Sequence, residues 1–119
     1  MKTKIRLPKE FRKKWLDALE SGKYKQTNDS LMDDYGYCCL GVAGRCLNIP
    51  KNELGKASMP SGLDKKYISK FPETFFCKSL DGKELYDSVF AEDLADMNDD
   101  KRLPFKEIAK YIRSNTRGV

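Results

Sequence analysis

Eleven consecutive residues, Tyr37-Cys38-Cys39-Leu40-Gly41-Val42-Ala43-Gly44-Arg45-Cys46-Leu47, carry one charge between them. In a chain of which 34% is Asp, Glu, Lys or Arg, such a run belongs in the interior, and the rest of the chain has to be arranged around it. Its side chains are small. The spacing predicts a short buried helix with Cys39, Val42, Ala43, Cys46 and Leu47 inward. Gly41 and Gly44 each cost about 1 kcal/mol of helix propensity relative to Ala, a cost that is tolerable where a neighbouring element has to approach closely. With 119 residues, 39% of them hydrophobic, there is material for one core and one domain.

No apolar run approaches the roughly 20 residues of a membrane span. The basic stretch Met1–Pro8 has no apolar segment behind it, so no export signal is expected. A cytoplasmic setting is expected, with the thiols of Cys38, Cys39, Cys46 and Cys77 reduced. The chain has no histidine, which excludes Ser-His-Asp and Cys-His catalysis and any His-containing zinc site. A four-cysteine zinc site normally needs two C-x2–4-C hooks. Here two cysteines are adjacent and the last is remote, so no metal is expected. A nucleophilic Cys38 or Cys39 at a helix N-terminus would have a lowered pKa but no imidazole base. The plainer reading, small apolar side chains in a packed core, is preferred.

Residues 1–25 hold nine basic and three acidic residues, a local excess of +6. Pro8 suits the first turn of a helix over about residues 8–21, with Phe11, Trp15, Ala18 and Leu19 on its apolar face and Gly22 ending it. Tyr24–Gln26 and Leu31-Met32 read as short strands around the turn cluster Thr27-Asn28-Asp29-Ser30. Residues 49–73, punctuated by Pro50, Gly55, Pro60, Gly62 and Pro72, read mainly as an irregular or mobile loop with a turn of helix near Leu63–Ser69. Asp81-Gly82 signals a two-residue hairpin between Phe75-Phe76-Cys77 and Leu85-Tyr86. Ser88 is placed to cap a helix through Phe90, Leu94 and Met97. Pro104 opens a last helix with the stripe Phe105, Ile108, Ala109 and Ile112, and with Arg113 and Arg117 near its negative end.

The expected fold is one α+β domain over residues 1–119, with three or four helices and one or two short β-hairpins. Its expected core comprises Phe11, Trp15, Leu19, Cys38, Cys39, Leu40, Val42, Cys46, Leu94, Phe105, Ile108 and Ile112. Trp15 is expected to touch the Tyr37–Val42 segment, with both buried.

Three surface constellations bear on function. Lys23, Lys25, Gln26, Tyr35 and Tyr37 lie close in sequence to the N-terminus of the Cys-Cys helix. Together they offer cation, amide, aromatic ring and free backbone N–H groups to a phosphorylated small molecule. The competing and preferred picture has Tyr37 packed, Gln26 capping a turn and the lysines in water. Lys9, Arg12, Lys13 and Lys14, with Lys2, Lys4 and Arg6 before them, supply charge for phosphate contacts, but no helix-turn-helix or RNP-like motif accompanies them. Asp96, Asn98, Asp100 and Glu107 match the first, third, fifth and twelfth places of a calcium loop, yet Lys101 occupies the place that needs glycine. The plainer reading makes Asn98 a helix terminator and has Asp99 or Asp100 cap the next helix or place negative charge before it. The carboxylates of Glu92, Asp93, Asp96, Asp99 and Asp100 show no nucleophile–base pairing.

Three blocks taken together resemble a family of small uncharacterised proteins encoded by tailed bacteriophages and prophages. They are Trp15–Gln26, the Tyr37-Cys38-Cys39-Leu40-Gly41-Val42 string, and Leu94-Ala95-Asp96-Met97-Asn98-Asp99 followed by Phe105-Lys106-Glu107-Ile108-Ala109 and Ile112. The resemblance implies a phage origin and a host-cytoplasm setting, and it hands over no functional residue. The expected function is non-catalytic binding in host takeover or counter-defence, with a host protein or a small nucleotide signal as partner. The alternative is a nucleic-acid-binding regulator using the basic first helix. No cofactor is expected, and the oligomeric state stays open.

Overall fold

The computed structural model describes residues 4–119; Lys2, named above among the basic residues, lies outside them. Helix α1 (Lys9–Glu20) starts after Pro8 and buries Phe11, Trp15, Leu16 and Leu19. Phe11 stacks on Trp15 at 5.4 Å between ring centroids, Phe75 lies 5.5 Å from Trp15, and Phe90 meets the indole edge-on at 6.4 Å. These aromatic pairs add to the area term of the core.

Helix α2 (Cys39–Cys46) is the uncharged run. It is buried on nearly every side, because it packs against α1 and also meets two elements introduced below. Of the five residues expected to face inward, Leu47 is only half-buried, and Leu40 is fully buried although it was not among them. The two glycines admit the close approach that the sequence implied. A Cβ at Gly41 would lie 1.8 Å from the Leu31 carbonyl oxygen, and one at Gly44 would lie 2.6 Å from a Leu54 methyl.

Residues 49–73 are more regular than their proline and glycine punctuation suggested. They form α3 (Lys51–Leu54), a 3-10 turn at Pro60–Gly62 and α4 (Lys65–Ile68), which is capped by Asp64. They bury Ile49, Leu54, Ala57, Leu63 and Phe71. Each helix is a single turn, too short to show a 3.6-residue period, and the prolines start turns instead of breaking them.

The second half follows its local signals more closely. Strands β2 (Phe76–Lys78) and β3 (Leu85–Asp87) pair antiparallel. Asp81-Gly82 lies within the longer connection 79–84, where Gly82 has φ +72°. Helix α5 (Val89–Asp99) is capped by the Ser88 hydroxyl, which accepts from Ala91 N–H. Helix α6 (Phe105–Asn115) buries Phe105, Ile108, Ala109 and Ile112. Helix α2 also packs on α3 and α5.

Two pairings differ from expectation. The strands read at 24–26 and 31–32 do not form a hairpin. Gln26 and Met32 each bridge to Tyr37, the first parallel and the second antiparallel. Strand β1 (Ile5–Leu7) pairs in parallel with β4 (Thr116–Gly118), and Arg117 therefore sits in a strand instead of at the end of α6. Arg12 holds this ribbon to α1. Its Nε donates to Thr116 Oγ1 at 2.9 Å, and that hydroxyl donates to Ile112 O at 2.6 Å. The result is one α+β domain with four helices of useful length, two single-turn helices and two two-stranded sheets among the described residues. No helix among the described residues is long and apolar enough to cross a membrane.

Candidate functional site

Every residue expected in the core is buried. Trp15 is fully buried, and its indole N–H donates to the Cys39 carbonyl at 3.0 Å. The other side of Cys39 is held from α5, where Asn98 is also fully buried. Asn98 Oδ1 accepts from Cys39 N–H at 3.2 Å and from Gln26 Nε2 at 2.9 Å. Asn98 Nδ2 donates to Thr27 O at 2.7 Å and to Asp99 Oδ1 at 2.9 Å. Gln26 Nε2 also reaches Leu103 O at 2.7 Å. The three blocks singled out in the sequence thus converge on one buried polar node around the first turn of α2. There Asn98, together with the Cys38 sulfur that accepts from Gly41 N–H, satisfies amide groups that helix geometry leaves without partners.

This node bears on three readings weighed for these residues. The N-terminus of α2 is sealed by Asn98 and is not open to a phosphate. Gln26 points into the node, away from the neighbouring lysines. Asn98 cannot serve a calcium loop, because both ends of its amide are committed. The loop itself is also absent: α5 and α6 are separated by Asp100–Pro104 alone, Asp96 pairs with Lys101, and Glu107 pairs with Lys110. The plainer reading is corrected as well. Asp99 accepts from Asp29 N–H at 2.9 Å and does not cap α6, which follows Pro104 with no side-chain cap. No cluster of metal-ligating side chains is present among the described residues.

Three of the four thiols, Cys38, Cys39 and Cys46, are buried in the core. Burial pushes the Cys38 thiol up to about 12, and complete burial pushes Cys39 well above the ordinary thiol range. Cys46 is raised by the same cause, with Lys14 and Arg45 opposing. A thiolate is therefore not available at neutral pH in the Cys-Cys pair. Cys77 alone is exposed; its sulfur lies 3.7 Å from the Asp87 carbonyl.

Outside the node, Lys23, Lys25, Tyr35 and Tyr37 do come together, lining an open cleft of about 420 Å³ with Tyr24 and Lys51. Tyr24 packs edge-on against Tyr37 at 5.4 Å. Asp33 and Asp34 share the rim. Asp33 is a pin: its carboxylate accepts from the Thr27 hydroxyl at 2.6 Å, from Tyr35 N–H at 2.8 Å and from Gly36 N–H at 3.1 Å. The Thr27 hydroxyl bond, then the Tyr35 amide, hold it below the usual carboxylate range. The pinned loop displays Tyr35 with 80% of its surface exposed. Sequence reasoning missed Tyr24, Lys51 and the role of Asp33; the Asp-x-x-Gly spacing of an Asx turn was the available signal.

The basic residues of α1 do not form one face. Arg12 is spent on Thr116, Lys13 pairs with Asp17 at 2.7 Å, and Lys14 sits beside Arg45 and Cys46. Lys9 lies instead against Gly118 of the ribbon.

The fold and this surface define a small α+β domain whose polar node is internal and whose distinctive exterior is a basic, tyrosine-bearing cleft. Residues 7–80 match the model of a domain of unknown function, DUF8296, and the chain belongs to that family. The match takes in α1, α2 and the cleft, while Asn98 lies beyond it. No curated protein and no solved structure matches the chain.

Proposed function

We propose that the protein acts by binding, without catalysis, and that the Lys23–Tyr37 face receives an acidic segment of a host protein. The observation that carries this reading is Tyr35: a large ring, 80% exposed, on a loop fixed by three hydrogen bonds to Asp33. Exposing a tyrosine on a rigid support costs little ordering entropy on binding, which is the character of an interface anchor. Lys23, Lys25 and Lys51 around it favour an anionic partner and speed its encounter. A small nucleotide is less well served, because the α2 N-terminus and Gln26 are withdrawn into the node. The buried thiols support a non-catalytic role. The resemblance to phage-encoded proteins supports a setting in the host cytoplasm, in host takeover or counter-defence.

The test places a photoreactive amino acid at position 35 or, as a control, at position 66, and exposes both to host lysate. The reading expects one host protein cross-linked from 35 and not from 66, lost on Lys25→Glu with thermal stability unchanged. Equal cross-linking from both positions, or retention in Lys25→Glu, would refute it.

A further inference from the structure

On the parallel ribbon, side chains alternate between two faces. Ile5, Leu7 and Thr116 turn inward, while Arg6 and Arg117, direct register partners, are both exposed. Lys4, two residues before Arg6, is exposed on the same face. Lys9 is not part of this row, because its stem lies against the inward side of Gly118, the side that Thr116 also faces. Among the described residues, none of Lys4, Arg6 and Arg117 has a carboxylate within salt-bridge distance. Most other cations around the ribbon are committed: Arg12 to Thr116, Arg113 to Glu20 and Lys13 to Asp17. Like charges directly opposite on paired strands repel, and here the register sets Arg6 beside Arg117 with no ion-pair partner for either among the described residues.

We infer that the outward face of the β1–β4 ribbon, carrying Lys4, Arg6 and Arg117, is a contact surface for a nucleic-acid phosphate backbone. Three observations converge on it. The charges repeat in line, with Lys4 and Arg6 about 6.6 Å apart along the strand, as suits a repeating polyanion. The central pair is arginine, whose planar fork grips phosphate oxygens with two bonds. The support is rigid, since Thr116 is fully buried and bonded to both Arg12 and Ile112. The row carries no ring on which a base would stack, so the contact reads charge and not sequence. This surface is independent of the Tyr35 cleft.

Binding of the full chain to a labelled duplex of arbitrary sequence, titrated at several salt concentrations, tests the inference. Three phosphate contacts give a slope of log K against log salt of about −2.7. The double variant Arg6→Gln/Arg117→Gln is expected to reduce that slope by about two, with a thermal midpoint equal to or above that of the wild type because the mutual repulsion is gone. Lys65→Gln/Lys66→Gln on α4, and Tyr35→Ala, should leave the slope unchanged. Absence of binding at low salt, an unchanged slope in the arginine double variant, or binding to anionic vesicles but not to duplex would each overturn it.

Discussion

Replacing Asn98 with alanine removes a side chain that makes four hydrogen bonds of 3.2 Å or less inside the protein, besides a long one of 3.5 Å to Asn28 Oδ1. Two of its partners have somewhere else to turn: Gln26 keeps Leu103 O, and Asp99 keeps Asp29 N–H. The other two do not. Cys39 N–H belongs to a residue with no solvent exposure, and the Thr27 carbonyl to one that is also buried. Each orphaned buried group costs about 1–3 kcal/mol, so losing the partner of two should cost Asn98→Ala about 2–6 kcal/mol. A chain of 119 residues has roughly 6–18 kcal/mol in all, at about 0.05–0.15 kcal/mol per residue. The melting temperature should fall by about 8–24 °C, taking roughly 4 °C per kcal/mol for a domain of this size. The assay is urea denaturation followed by fluorescence of Trp15, the single tryptophan, whose indole bonds to the other face of Cys39. A double-mutant cycle with Gln26→Ala should give a coupling of about 0.5–3 kcal/mol. A loss below about 1 kcal/mol for Asn98→Ala would show that the node does not hold the three blocks together.

Two further outcomes follow from the same interior. Gly41→Ala should gain about 1 kcal/mol of helix propensity and still destabilise, because its Cβ would meet the Leu31 backbone at 1.8 Å; equilibrium denaturation of the variant checks the sign, and a more stable variant contradicts the close approach. Alkaline pH should also destabilise. In the folded chain the Cys38 thiol is pushed up to about 12 from an ordinary value of 9.0, so the unfolded chain releases its proton first. Stability is full below about pH 9 and is lost as the pH climbs towards 12, by about 1.4 kcal/mol per pH unit for each such thiol in that window; a denaturation midpoint in Cys38→Ala that falls as steeply as the wild type's over pH 9–10.5 would refute the assignment to this thiol.

How much of this was legible depended on whether the signal was local. The apolar faces of α1 and α6 span several turns, so Phe11, Trp15, Leu19, Ile108 and Ile112 could be placed from periodicity alone. Ser88 capped its helix for reasons confined to a few residues. The β1–β4 ribbon left no such trace: each strand has three residues, too few for an alternation, and its partner lies at the other end of the described chain. The single turns between Pro50 and Phe71 are below the length at which period shows. Asn98 was legible in principle. It falls four residues after Leu94 and eight after Phe90 on the buried stripe of α5, where a polar side chain demands a partner. Reading it as a helix terminator ignored that face, and its partners, Thr27 and Cys39, are too distant in sequence to suggest themselves. The cleft was half legible: Lys23, Lys25, Tyr35 and Tyr37 do converge, while Gln26 was drawn inward by Asn98.

The account rests on the paired thiols being interior scaffold, so that the molecule works through its exterior. Alkylation of the native protein near pH 8 with a small thiol reagent, mapped residue by residue by mass spectrometry, addresses this most directly. Cys77 should react at once, and Cys38 and Cys39 only at the rate of global unfolding, all four becoming equivalent in denaturant. Modification of Cys38 or Cys39 in the folded protein, faster than unfolding and at a rate matching or exceeding Cys77, would contradict it.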